Sequence, residues 1–262
     1  MHGTPGCRLN RPVDMRTWTG SGFSVVTMDR PGYGLSSPWP GRSVADIADD
    51  AAAVMDHLGY ERFAVRGGSG GGPHALACAA RLPHRVLAAE VVSGGAPLTA
   101  EEIDQQVEQN RESFRALAAG RDALVDRFES IRSRVLADAH ASFDELHADA
   151  PASDRRITAA QRERYAETMS EALTQGVGGW LEDMLAIHQR PWGVDLGAIQ
   201  CPVAMWHGTD DLNVPVSAAR RLAAAIPTAS FHELPGVGHT GADPAAALQA
   251  LLARARKSLT TS

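Results

Sequence analysis

Apolar and polar residues follow two textures along the chain. Short runs rich in Val, Ala and Phe, at 23–28, 63–66, 87–92, 202–206 and 230–234, are separated by longer stretches with three- and four-residue apolar spacing. Strand-length runs that alternate with helix-length patterns predict a parallel sheet covered by helices, the α/β class. Over 43–59, Val44, Ile47, Ala51, Val54, Met55 and Leu58 recur on one face, which predicts an amphipathic helix. Ser43 with Asp46 supplies its start signal and Gly59 its stop. Two further helices, 217–225 and 244–257, are predicted after the last two strands.

Between Pro97 and Pro191 the strand-like runs disappear, and Glu, Asp, Arg and Gln interleave with Leu, Val, Phe and Ile at helical spacing. Helices are predicted at 100–118, 121–137, 159–174 and 180–188, with the glycine-rich 176–179 as a flexible joint. The expected organisation is an α/β core from 1–97 and 191–262, interrupted by a helical insertion at 98–190. A chain of 262 residues, 44% hydrophobic, suits one such domain with a sizeable core.

Charge narrows the partners. The formal net charge is −6, from 31 acidic and 25 basic residues mixed along the chain, so no basic stripe exists to neutralise a phosphate backbone, and nucleic acid is not an expected partner. Cys7, Cys78 and Cys201 are far apart and odd in number, a pattern of reduced, buried thiols rather than disulfides. No apolar stretch approaches the roughly 20 residues that span a bilayer. The expectation is a cytoplasmic protein that acts on a small molecule away from the membrane.

The strongest chemical signal is Gly67-Gly68-Ser69-Gly70-Gly71, a G-x-S-x-G directly after the strand at 63–66 and at the start of a helix through 73–82. A sharp strand-to-helix turn holds such a serine in a strained conformation, and small neighbours are needed because a Cβ at Gly67 or Gly71 would collide with the facing backbone. The hydroxyl is then exposed at a helix N-terminus, where the dipole and the Gly70 N–H can stabilise an oxyanion. A phosphate loop would carry a Lys or a G-x-G-x-x-G register, and neither is present. A serine also needs a base and an orienting carboxylate. Asp211 follows the strand at 202–206, and His239 follows the strand at 230–234. Asp210 is the adjacent rival; the G-x-x-D spacing from Gly208 favours Asp211. Of the other histidines, His57, His84, His140 and His147 read as solvated or structural, and His74 as a local hydrogen-bonding or packing residue.

With His2-Gly3-Thr4-Pro5-Gly6, Asp29-Arg30-Pro31-Gly32-Tyr33-Gly34, the serine elbow, Gly208-x-x-Asp211 and Gly238-His239 in this order, nearly the whole chain resembles the α/β-hydrolase superfamily. The resemblance implies Ser69 as nucleophile, His239 as base and Asp211 as its orienter. It further implies oxyanion donors at Gly70 and Thr4, and an insertion that caps the site and selects substrate. Ser in place of Asp at the nucleophile argues against dehalogenase and epoxide-hydrolase chemistry, which needs a carboxylate nucleophile. Acyl transfer remains. The His-Gly-x-Pro-Gly loop resembles that of proline iminopeptidases, but no acidic site for a substrate amine stands out in the insertion.

The superfamily places two edge strands and a central strand ahead of the His-Gly loop, whereas this chain starts one residue before it. Those strands are therefore absent from this chain, and the expectation is a sheet with a gap, or one in which the strands at 23–28 and 63–66 close up. A natural start upstream of Met1 would account for the difference, and mass spectrometry of the native protein tests it. Without that support Thr4 is expected on a loose arm.

Trp180, Met184, His188 and Trp192 lie on or near one helical face and could line an apolar substrate pocket or pack the insertion's core. Asp46, Asp49, Asp50 and Asp56 form the polar side of their helix. No His, Cys or Asp grouping has metal-ligand spacing, and the triad needs no cofactor. The sequence thus points to a serine hydrolase of carboxylic esters of a small apolar molecule. A lyase, cyclase or cofactor-free perhydrolase on the same site is the alternative, with aminopeptidase or non-catalytic receptor behind it.

Overall fold

The computed structural model describes residues 1–11, 21–240 and 244–260. Its centre is a parallel sheet of four strands, β1 (Phe63–Gly68), β2 (Val86–Val92), β3 (Val203–Gly208) and β4 (Ala229–Leu234), hydrogen-bonded in that order. Four of the five expected strands are these. β2 is buried at every position except the last, as befits a strand covered on both faces. The register runs Val65 to Ala89, Ala89 to Val203 and Val203 to Ala229, so equivalent positions of all four strands stand side by side.

Helices flank the sheet. The first, α1 (Ile47–His57), is shorter than its periodicity suggests, because Asp46 accepts from the Ser43 N–H and Oγ and holds the first residues as a turn. It packs on α2 (Gly71–Arg81), whose small residues Ala75, Ala77, Cys78 and Ala79 are fully buried and let it lie close on β1 and β2. Between β2 and β3 come α3 (Ala100–Asp104), α4 (Glu108–Ala119), α5 (Arg121–Ala137), α6 (Ala139–Leu146), α7 (Ala152–Arg155), α8 (Ala159–Ala172) and α9 (Gly178–His188). The single helix expected at 100–118 is two. The Gln106 side chain and the Val107 N–H, both buried, donate to the Asn213 and Leu212 carbonyls, which breaks the helical ladder between them. The last helices are α10 (Val216–Ala224), on β3 and β4, and α11 (Pro244–Thr260), on β1, β2 and β3.

Two apolar clusters form. One joins the sheet, α1, α2, α10 and the end of α9 through Ala186 and Ile187. The other lies within the helical stretch, around Leu124, Phe128, Ile131, Leu173 and Leu181, and takes in Cys7 and Tyr33. Cys7, Cys78 and Cys201 are free and buried.

The expected strand at 23–28 is not one. An extended segment becomes a strand when a neighbour pairs with its amides. Here the edge of β1 instead carries Met1, whose ammonium donates to the Arg66 carbonyl at 2.5 Å and whose carbonyl accepts from Gly68 N–H at 3.4 Å. Val25, Met28, Phe63 and Val65 all line a cavity of about 610 Å³. The sheet therefore keeps a gap, and the two segments do not close up.

Candidate active site

In a parallel sheet all strands end at the same edge, so residues just beyond those ends converge. Ser69 follows β1, Asp211 follows β3, and His239 follows β4. Ser69 has φ 51°, the left-handed strain that its glycine neighbours foretold. A Cβ on Gly67 would run into the Gly71 carbonyl, and one on Gly71 into the carbonyls of Met1 and His2, so the tight elbow requires both glycines. Ser93, just past β2, has φ 49° and is buried with no partner for its hydroxyl among the described residues. Ser69, Ser93 and His239 all line the 610 Å³ cavity.

The carboxylate of Asp211 is buried, and its Oδ1 accepts the backbone N–H groups of Asn213 and Val214, each at 2.8 Å. Its Oδ2 lies 2.8 Å from Nδ1 of His239 and 3.2 Å from Nε2 of His207. Asp210 is exposed and its carboxylate accepts from the Thr209 hydroxyl, whereas Asp211 lies beside the histidine. Burial alone would raise the Asp211 pKa, but the imidazoles of His239 and His207 and the bonds they make hold it below the ordinary carboxylate value. For His239, burial opposes the cation, yet the charge and hydrogen bond of Asp211, with Asp154 behind, raise its pKa above 6.5.

The His-Gly loop is not a loose arm. The buried Arg30 donates to the carbonyls of His2 and Gly3 and to Thr4 Oγ1, and its backbone N–H donates to His2 Nε2 at 3.0 Å. Asp183, fully buried on α9, takes Arg30 and Arg42 at 2.5 Å each, Thr4 Oγ1 at 2.5 Å and the Tyr33 hydroxyl at 2.9 Å. This network sets Gly3 over Ser69 and the Thr4 amide beside Gly70: a Cβ built on Gly70 would lie 3.3 Å from Thr4 N. Neither the Thr4 nor the Gly70 amide donates to an acceptor among the described residues. His74 donates to the Gly70 carbonyl at 2.8 Å, and burial takes its pKa down to about 3, in keeping with a local bonding residue.

The four aromatic and sulfur candidates lie elsewhere. Trp180 stacks on Phe128 at 3.8 Å, Met184 packs against the same cluster, and His188 meets Phe114 edge-on. Trp192 donates to the Ile187 carbonyl and packs against the sheet's core. None of the four lines the cavity that holds Ser69 and His239.

Arg30 stood within a motif already singled out, whereas Asp183, Asp154 and His207 were missed. An acid within the apolar run Trp180-Leu181-Glu182-Asp183-Met184-Leu185 was the signal available for Asp183. Among the described residues no group of three His, Cys, Asp or Glu could hold a metal ion. Nor is any helix there long and apolar enough to cross a membrane.

A sequence model of the alpha/beta hydrolase fold family matches residues 2–244. The chain belongs to that family. It is 30% identical to the pimeloyl-[acyl-carrier protein] methyl ester esterase of Chromobacterium violaceum, over 83% of this chain and 77% of that one. It is 25% identical to a bifunctional esterase/perhydrolase of Acinetobacter calcoaceticus, over 91% and 83%. Among solved structures, a carboxylesterase of Nitrososphaera gargenis aligns over 100% of this chain and 90% of its own at a TM-score of 0.71. Its 19% identity makes that a likeness of fold. The chain is thus an α/β-hydrolase enzyme.

Proposed function

We propose that the protein is a serine hydrolase that cleaves carboxylic esters of small apolar molecules through an acyl-enzyme. The observation that carries this reading is the convergence at one sheet edge of a strained Ser69 and of His239, whose Nδ1 is held by Asp211 at 2.8 Å. With Nδ1–H donated to Asp211, Nε2 keeps its lone pair for the serine proton. Ser69 Oγ attacks the ester carbonyl as His239 takes its proton, and the amides of Gly70 and Thr4 bind the oxyanion. The imidazolium then protonates the departing alkoxide. Water, deprotonated by His239, attacks the acyl-enzyme and releases the acid and Ser69. Residues 98–190 act as the cap over this edge, tied to the oxyanion loop through Asp183.

A p-nitrophenyl ester chain-length panel tests the reading. A burst equal to the enzyme concentration, lost in Ser69→Ala, is expected. Turnover in Ser69→Ala at the parent rate would reject it.

A further inference from the structure

Asp154 is 1% exposed on the four-residue α7, far in sequence from the triad, yet it binds the loop that carries His239. Its Oδ2 accepts the His239 backbone N–H at 2.8 Å. Its Oδ1 accepts the Thr240 N–H at 2.7 Å and the Thr240 hydroxyl at 3.0 Å. The adjacent Ser153 Oγ accepts the Gly238 N–H at 3.0 Å, and a Cβ on Gly238 would run into the Asp154 carboxylate, so the two segments lie in direct contact. Three consecutive backbone amides, of residues 238, 239 and 240, are thereby satisfied by two side chains of the helical insertion. A buried carboxylate with this many donors is held in one place and holds its donors in turn.

We propose that Asp154 is a positioning residue for His239, and that it couples the seating of the insertion to the placement of the imidazole. The proposal rests on the reading of Ser69 as nucleophile and His239 as base. Two anchors grip the histidine: Asp211 fixes the ring through Nδ1, and Asp154 fixes the main chain through the amide. If α7 lifts, residues 238–240 lose their acceptors together and the ring loses its aim at Ser69. The active form of the base therefore exists only while this part of the insertion is docked. The charge of Asp154 also favours the imidazolium. The groups facing His239 are Asp211 beyond β3, Asp154 on α7 and His147 after α6, with His207 of β3 bound to Asp211 behind.

Asp154→Asn keeps the shape of the side chain but removes its charge and turns an amide toward a backbone N–H. On p-nitrophenyl acetate, kcat is expected to fall about 10²-fold, the loss typical of a reacting group misplaced by about 1 Å, with KM nearly unchanged. The acid limb of kcat/KM moves to lower pH. Parent values of both kcat and the acid limb in folded Asp154→Asn would overturn the proposal. If that variant fails to fold, Ser153→Ala/Thr240→Ala replaces it, since both side chains lie at half-exposed or exposed positions and their loss removes the Gly238–Ser153 bond and the Thr240 hydroxyl's bonds to Asp154. A fall in kcat of roughly tenfold or more, the energy of about two lost hydrogen bonds, supports the clamp, and an unchanged kcat overturns it. Ser69→Ala is run alongside. If Ser69→Ala turns over normally, the triad reading fails; if it is inert while the Asp154 variants behave as the parent, only the present proposal fails.

Discussion

Asp211 sits between two imidazoles and two backbone amides, and in the proposed mechanism its carboxylate sets the tautomer of His239. Asp211→Asn would favour the wrong tautomer of His239, and kcat is expected to fall about 10⁴-fold with the fold intact by circular dichroism. The pH dependence follows from the raised His239 pKa: the base must be neutral, so activity is lost as pH falls through that pKa. The midpoint of the acid limb in kcat/KM is accordingly expected above 6.5, the ordinary histidine value. A pH–rate profile on an uncharged ester measures it. Gly70 offers a second test at this scale. A Cβ there meets the Thr4 side chain and pushes apart the two amides proposed to bind the oxyanion. Gly70→Ala is expected to lose about 10²- to 10³-fold in kcat, as for loss of one oxyanion donor.

At the scale of elements, α9 is tied to the His-Gly loop through one buried acid, Asp183. Asp183→Ala would strand Arg30 and Arg42 without their shared carboxylate, and about 3–5 kcal/mol of stability is expected to go, read by urea unfolding. Burial opposes ionisation of Asp183, but the two guanidiniums and His74 hold its pKa well below the ordinary carboxylate value. With a folded pKa below the unfolded one of about 3.9, its stabilisation is present above that pH and is lost as pH falls further. Trp180, stacked on Phe128, belongs to packing. Trp180 is half-buried, so Trp180→Ala is expected to lose about 3 kcal/mol, the low end for such a truncation, while the folded fraction keeps its kcat/KM on p-nitrophenyl acetate.

β1 to β4, α5 and α8 were legible in the sequence and fall within a few residues of their patterns: the strands as short apolar runs, the helices because burial on one face writes itself into the spacing. The segment at 23–28 carries the same texture, but pairing is a property of neighbours, and no periodicity reveals whether a neighbour is there. The short α6 and α7, of eight and four residues, were invisible, being too brief to show a period. The same reasoning separates the site residues. Ser69, Asp211 and His239 announce themselves by motif and by order along the chain. Asp154 reaches His239 across 85 residues from within Ser153-Asp154-Arg155-Arg156, where nothing distinguishes it from a solvated acid.

For the whole molecule, the parallel sheet does the gathering: residues more than a hundred positions apart meet because their strands end at one edge. The helical stretch then adds Asp183, bonded to Thr4, and Asp154, bonded to the His239 amide, so it touches both sides of the candidate site. The chemistry drawn from these parts uses only protein groups and water, and ester turnover is expected to be unchanged after dialysis against EDTA. The most direct test of the central claim is covalent. After incubation with a fluorophosphonate, intact-mass and peptide mapping should find one adduct per chain, on Ser69, with labelling slowed strongly in His239→Ala. No adduct on Ser69, or equal labelling of Ser69→Ala, would contradict it.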